Sequence, residues 1–481
     1  MPEMADEMLS RPVDLATLPT HPENWIWASW TDAFTVPADK VAEIQLAALK
    51  NRFAEMVEKV QILANLAEEQ GISEIRSIED GAPLLFAHSV YKSYPISFLE
   101  KNQFDRLTKW LDTLTVDDLS DVDASGIDTI DDWVQLLDEK TDIRVIHSSG
   151  TSGKLSFIPR SERELPMMLR GWRQNFQGFG DEPHAKPIEG LSQIPVIFNG
   201  YRKGALGHFR LLNGFVRYLY DDNEDMVLTR NPGRMSADAL SLGGRLSVAA
   251  SRGEVGRLSI SPKLLARRDE FLKEQAEAPQ RGKVFLDAII ERFRGKRVMM
   301  MGNWVYQYGA AKEGTDRGLH HVFARDSLIH TSGGLKGVKL PEGFQDVVKE
   351  FLGVDRVNES YGMSEMMALL PKCPNHKHHI SPWVIPYLLD PKTGVPYPKT
   401  GTQTGRFGFI DLAATTYWGG FLTGDEVTID RDGTCPCGRI GARAHDSIRR
   451  FTEKEGGDDK ITCAGAPEAI DRALAFITEM A

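Results

Sequence analysis

The sequence predicts an α/β protein: a large domain with mainly parallel sheets flanked by helices, plus a small distal β lobe. Three observations carry that prediction. Short apolar runs alternate with helical patterns through the middle of the chain, as parallel strands and their crossovers do. The first 140 residues are mostly helical in pattern, and after Pro391 the texture changes to short strands separated by Gly and Pro turns.

Residues 1–37 combine Pro12, Pro19, Pro22 and Pro37 with Trp25, Trp27 and Trp30, which suits an irregular strap. From Ala38, the residues Val41, Ile44, Leu49, Phe53, Met56, Val60 and Leu63 recur at helical spacing, with a stop at Gly71. A second helix is expected over 97–114, with Glu100 completing a capping box on Ser97. The segments VDDLS and IDDWVQLLDEK follow, each acidic at its start as a helix N-terminus prefers. Strands are expected at 144–147, 196–198, 284–285, 298–301, 327–330, 356–359 and 384–389, with helices at 262–276 and 343–351 between them. The expected units are 1–140 as strap and helices, 141–390 as the α/β core, 391–450 as the distal β lobe and 451–481 as a C-terminal remnant.

The chain has 481 residues, with 57 Lys and Arg against 68 Asp and Glu, a net charge of −11. An acidic balance without a long basic run argues against a nucleic-acid surface. No apolar run is long enough for a membrane span, and the acidic first residues do not read as a signal peptide. Four cysteines, Cys373, Cys435, Cys437 and Cys463, are too few for a disulfide scaffold and fit a reducing cytoplasm.

The sharpest motif is His147-Ser-Ser-Gly-Thr-Ser-Gly-Lys154, directly after an expected strand. Glycines let backbone N–H groups close on an anion, hydroxyls donate to phosphate oxygens, and lysine supplies full charge. A P-loop would need Gly at 148 and Ser or Thr at 155, where the chain has Ser148 and Leu155.

This run resembles the phosphate loop of the adenylate-forming superfamily of acyl-CoA synthetases, peptide-synthetase adenylation domains and firefly luciferase. Three further segments follow in that family's order. His330-Thr-Ser-Gly-Gly-Leu335 resembles the turn beside adenine, Asn358-Glu-Ser-Tyr-Gly-Met-Ser-Glu365 the aromatic-Gly-x-Ser-Glu motif, and Leu422-Thr-Gly-Asp425 the ribose motif.

The resemblance implies a nucleotide-binding core and a carboxylate attacking the α-phosphorus of ATP. Ser148, Ser149, Gly150, Thr151, Ser152, Gly153 and Lys154 would hold the phosphates, and Glu365 would ligate Mg²⁺, which needs few protein oxygens. Ser332, Gly333 and Gly334 would pack beside adenine, Tyr361 would stack on it next to Gly362 and Ser364, and Asp425 would accept the ribose hydroxyls.

Family members carry a mobile C-terminal domain with a catalytic lysine. Only 56 residues follow Asp425 here, with Lys454 and Lys460 the only lysines among them, so that lysine is expected to be absent. Gly456-Gly-Asp-Asp-Lys-Ile461 is similar to the family's hinge, with Asp459 as the hinge aspartate and Gly457 where the family has Arg. The cysteine segments resemble the branch of phenylacetate-CoA ligases, acyl-protein synthetases of bacterial luminescence and shortened ligase-like proteins of phenazine pathways.

Thiolates and imidazole also suit zinc. Cys373, His379, Cys435 and Cys437 would form a closed Cys₃His site, with His376 and His378 as rival ligands, while the alternative is a plain Cys-Pro-Cys turn beside a solvated histidine loop. Cys463 is left over. By resemblance to acyl-protein synthetases it is a candidate acyl acceptor, with Lys460 near it; the alternative is a small buried hydrophobe. Residues 199–210 and 299–308 are candidate walls of an acyl or aryl slot, though 299–301 also read as core strand.

The expected activity is ATP-dependent activation of a fatty or aromatic carboxylic acid, followed by acyl transfer to a thiol of a protein, CoA or a carrier protein, with an acyl reductase as a further partner. The alternative is a ligase-like shell that binds nucleotide or acid for a pathway partner.

Overall fold

The computed structural model describes residues 12–451 apart from 149–153, 177–187, 189, 255–261, 333–334, 336–337 and 368. Its centre is a six-stranded sheet in the spatial order Val227–Arg234, Val196–Lys203, Met299–Met301, Leu328–Ser332, Asn358–Tyr361 and Leu370–Pro371. The first five strands are parallel and the last runs antiparallel. Their residues alternate between two cores: Val196, Phe198, Met299, Met301 and Leu328 enter one, while Ile197, Met300 and Ile329 enter the other. A sheet buried on both faces is the normal form of parallel pairing. Met299–Met301 is therefore core strand along its whole length.

A second sheet of seven strands runs Lys377–His379, Arg443–His445, Gly420–Asp430, Thr402–Asp411 and Val384–Leu389, with Phe86–Ala87 and Arg449–Arg450 also on Gly420–Asp430. It is antiparallel except at Phe86–Ala87. Its core contains Trp383, Ile385, Phe409 and Ile429 together with Ile44, Leu49, Phe53 and Leu63 from the N-terminal helices. The β-rich segment and the helical N-terminus thus share one hydrophobic core.

Several elements differ from expectation. The strap holds a 3₁₀ turn, Pro22–Trp27, and a helix, Trp30–Thr35, capped by the Ser29 hydroxyl on the Asp32 amide. The long helix splits into Ala38–Val57 and Gln61–Glu69, because the extended Val60 turns its side chain fully into the core. The next splits into Ser97–Glu100 and Phe104–Asp112 at Asn102, which takes φ 51°, a conformation asparagine tolerates better than most residues. Ser97 is already helical there and caps nothing.

VDDLS forms bends held by Asp118 on the Ser120 amide, the short-range bonding that lets aspartate compete with helix. IDDWVQLLDEK is the expected helix, capped by Thr129. Val284 and Phe285 lie inside the helix Arg268–Phe293, where Phe285, Leu286, Ile289 and Phe293 form one buried stripe. Two adjacent apolar residues could not distinguish that stripe from a strand.

Candidate active site

Ile143–His147 pairs antiparallel with Phe157–Ser161, so the strand before the Ser/Thr/Gly run has an antiparallel partner after it. Ser148 extends that pairing: its N–H donates to the Ser156 carbonyl at 3.0 Å and its hydroxyl accepts the Ser156 N–H at 2.9 Å. Ser149, Gly150, Thr151, Ser152 and Gly153 lie outside the described residues. Lys154 donates to the carbonyls of Tyr94 and Lys92, and its ammonium stands 5.0 Å from the Tyr94 ring centre. Burial and the neighbouring Lys92 charge hold its pKa below the ordinary lysine value.

The second part of the site lies at the C-terminal ends of the parallel strands, where open α/β sheets bind ligands. Ser332 sits opposite Ser360. Gly333 and Gly334 fall outside the described residues. Tyr361 ends its strand and leads into Gly362, Ser364 and Glu365. A Cβ at Gly362 would sit 2.3 Å from Leu369 Cδ2, so glycine lets that leucine close over the turn.

Three buried side chains hold the 364–367 turn. Arg160 donates to the Ser364 carbonyl at 2.7 Å, to the Met366 carbonyl and to the Met367 sulfur. Asp411 accepts the Met367 N–H at 2.8 Å, and Tyr417 donates its hydroxyl to the Glu365 carbonyl at 3.0 Å. Burial raises the pKa of Glu365, while the positive charges of Arg160, Lys92 and Arg450 work in the opposite direction.

Asp425 is aimed by a break in register. Between the Arg406↔Glu426 and Gly408↔Leu422 pairs, Thr423, Gly424 and Asp425 oppose Phe407 alone. Bulges of this kind re-aim side chains at sites. Tyr361 donates its hydroxyl to Asp425 Oδ2 at 2.6 Å, and Arg450 Nε stands 3.7 Å from Asp425 Oδ1. The Tyr361 ring meets Phe407 edge-on at 6.0 Å between centroids. Tyr361, Glu365 and Asp425 are therefore brought together, with Tyr361 engaging Asp425 directly.

Lys92, Arg160 and Arg450 were not legible as site residues. Arg160 carried a signal, a charge inside the apolar strand FIPRS. Arg450 carried none, because only the Asp425↔Arg450 pairing gives it a role.

Of the candidate slot walls, His208 and Tyr306 both face Phe198, a residue outside the expected walls, at 5.0 and 6.3 Å between ring centroids, and the Asn199 side-chain amide donates to the Tyr306 carbonyl at 2.7 Å. These residues gather where the connection order of the parallel sheet reverses, between Val196–Lys203 and Met299–Met301.

The third assembly is the predicted cluster. One ligand atom from each of Cys373, His379, Cys435 and Cys437 lies within 4.8 Å of all the others. Cys373 Sγ is 3.9 Å from Cys435 Sγ, and Cys437 Sγ is 3.3 Å from His379 Nε2. The Cys373 thiol and the His379 ring hold the pKa of Cys437 well below the usual thiol value. Cys463, Lys454, Lys460 and the hinge-like segment lie outside the described residues. No helix among the described residues is long and apolar enough to cross a membrane.

No family model matches the chain. Over 145 residues it is 26% identical to the long-chain-fatty-acid–luciferin-component ligase of Vibrio harveyi, a stretch covering 29% of this chain and 38% of that protein. The match thus spans well under half of that relative. Among solved structures, 2-hydroxyisobutyryl-CoA ligase in complex with 2-HIB-AMP and CoA, in the thioesterification state, aligns with 87% of this chain and 70% of its own, at 16% identity and a TM-score of 0.48. Its open conformation aligns with 88% and 79%, at 15% identity and a TM-score of 0.47. The luciferase-like enzyme of the Zophobas morio mealworm aligns with 65% and 59%, at 11% identity and a TM-score of 0.33. The chain is similar to these ligases and luciferase-like proteins in those respects.

Proposed function

We propose that this chain activates a carboxylic acid with Mg·ATP and passes the acyl group to a thiol. The observation that carries the reading is the meeting of Tyr361 from the parallel sheet with Asp425 from the antiparallel sheet, with Glu365 on the turn after Tyr361 and the charges of Lys92, Arg160 and Arg450 acting on it. A carboxylate among fixed cations suits a metal–polyphosphate complex, whose negative charge must be neutralised. Magnesium takes oxygen ligands and keeps several waters, so Glu365 with the phosphates is a sufficient donor set. When bound, the ion would supply charge neutralisation on the phosphates.

In the first half-reaction a substrate carboxylate oxygen bonds to the α-phosphorus and the α–β bridging bond breaks, releasing pyrophosphate. A thiolate then bonds to the acyl carbon and AMP leaves. Lys154 and residues 148–153 would hold the phosphates, Tyr361 the base and Asp425 the ribose, once Asp425 exchanges its Tyr361 partner for the sugar. The Phe198, His208 and Tyr306 rings would line the acid slot, and the Vibrio relative favours a fatty acid over an aromatic one. The acceptor thiol is CoA, a carrier protein or a protein cysteine, Cys463 among them.

Pyrophosphate release against a panel of fatty and aromatic acids, with hydroxylamine trapping the activated acyl group, tests the reading. Acid-dependent release and hydroxamate are expected, and Glu365→Gln should lower the rate by about 100-fold or more with little loss of fold. Full activity in Glu365→Gln would remove its assignment as metal ligand. Nucleotide binding by calorimetry without any acid-dependent release would favour the ligase-like shell.

A further inference from the structure

We propose that Cys373, His379, Cys435 and Cys437 bind one structural zinc ion that locks the junction between the two sheets. The proposal stands on geometry independent of the ligase reading. A tetrahedron with Zn–S of about 2.3 Å and Zn–N of about 2.0 Å has S···S edges near ~3.8 Å and S···N edges near ~3.5 Å. The cluster has 3.9 Å for Cys373 to Cys435 and 3.3 Å for Cys437 to His379, and all four atoms lie within 4.8 Å of one another. A disulfide needs its sulfurs about 2.05 Å apart. The thiols are therefore spaced for a shared cation and not for oxidation.

The structure also selects among the histidines. His378 turns Nδ1 to the Leu370 carbonyl at 3.1 Å and Nε2 to Asp446 at 3.2 Å, so both its ring nitrogens have partners. His376 is exposed at φ 54° in the turn. His379 is fully buried with Nε2 on the sulfur cluster. Three thiolates and one imidazole make a closed soft shell that suits zinc and leaves no position for substrate, which makes the ion structural.

Its position explains what it would hold. The turn bearing Cys373 connects Leu370–Pro371 of the parallel sheet to Lys377–His379 of the antiparallel sheet. The turn bearing Cys435 and Cys437 connects Gly420–Asp430 to Arg443–His445, the partner of Lys377–His379. Leu370–Pro371, Lys377–His379 and Arg443–His445 have only two or three residues each, too few ladder bonds to fix a junction alone. The N-terminal segment is tied in as well: the Ile440 N–H donates to the Phe34 carbonyl at 2.8 Å, and the Phe34 ring meets His379 edge-on at 6.0 Å.

Metal content of the full chain, purified without chelators and measured by plasma mass spectrometry, tests the site. About one zinc per chain is expected, lost in Cys437→Ser and in His379→Ala and kept in His376→Ala. Because the ligand variants can misfold, the wild-type chain is also exchanged into cobalt, where intense visible bands of a tetrahedral thiolate site are expected. A chelator that strips the metal should lower the melting temperature. Wild-type protein that neither carries nor takes up zinc, full zinc retention by Cys437→Ser, iron in place of zinc, or a weak octahedral cobalt spectrum would each overturn the proposal.

Discussion

The edge where the two sheets meet at Tyr361 and Asp425 is linked to the cysteine–histidine cluster through the antiparallel pair Asn358–Tyr361 and Leu370–Pro371, yet the polar atoms of the two sites are satisfied in opposite ways. At the edge the fold supplies the partners: Asp425 has Tyr361 and Arg450, and the 364–367 turn has Arg160, Asp411 and Tyr417. In the cluster three sulfurs and a ring nitrogen mostly face each other, with Arg439 Nη1 on Cys437 at 3.3 Å as an outside donor. Thiols are weak donors and weak acceptors, so such a group gains little until a cation joins it. One site is completed by side chains and is broken by removing one. The other is completed by a ligand and is broken by removing that.

The largest break in the edge is expected from Arg160→Ala. The substitution leaves the Ser364 and Met366 carbonyls without a buried donor and opens a cavity under Tyr417, whose ring the guanidinium covers at 5.0 Å. A stability loss of about 3–5 kcal/mol in urea unfolding is expected. Arg160→Lys keeps the charge but not the fork and should lose less. A loss below about 1 kcal/mol for the alanine variant would mean that the turn holds itself and that the cations at the edge serve only ligand charge.

What the sequence made legible follows the same division. Tyr361, Glu365, Asp425 and all four cluster residues could be singled out because each belongs to a short motif whose chemistry is local in the chain. The α/β class and the strand at 384–389 were readable from apolar runs. Arg160 and Arg450 were not, because their roles come from contacts about 200 residues away and from one strand register. The antiparallel pairing of the strands on either side of the Ser/Thr/Gly run was not assigned for a related reason: an apolar strand gives no sign of whether its partner is parallel or its own return. Val284 and Phe285 failed because two residues carry no period. Asn102 and Val60 split two helices through backbone conformations that helical spacing does not register.

A smaller, pH-dependent break is expected at His330, on the strand beside Tyr361. The ring is buried between Trp172 and Phe176, with Nε2 on the Ser360 hydroxyl at 2.8 Å, and burial pushes its pKa down to about 3 from 6.5. Between those values the unfolded chain binds more protons than the folded one. Its contribution is therefore full above about pH 6.5 and is lost as pH falls toward about 3, at no more than about 1.4 kcal/mol per pH unit. Asp238 acts in the opposite sense, because burial and Asp131 raise it to about 7 and stability falls as pH rises toward that value. The measurement is thus the stability difference between wild type and His330→Gln at pH 7.5 and 4.5 (~3 units apart). That difference should shrink at the lower pH; a constant difference would mean that the imidazole takes up its proton alike in the folded and unfolded chain.

The smallest effect is expected from Tyr361→Phe, and it sharpens the comparison most. The hydroxyl gives Asp425 a charge-assisted hydrogen bond at 2.6 Å, and Arg450 remains on the other oxygen when it is removed. Folding stability should fall by about 1–2 kcal/mol. Nucleotide affinity should move the other way. If Asp425 must release Tyr361 to accept ribose hydroxyls, the intact bond lowers the binding-competent fraction, and deleting about 1 kcal/mol of competition raises ATP affinity by roughly fivefold. Calorimetry with ATP checks this alongside the unfolding curve. A fall in both quantities would mean that the tyrosine hydroxyl itself contacts the nucleotide, and that the edge, like the metal cluster, is completed by its ligand.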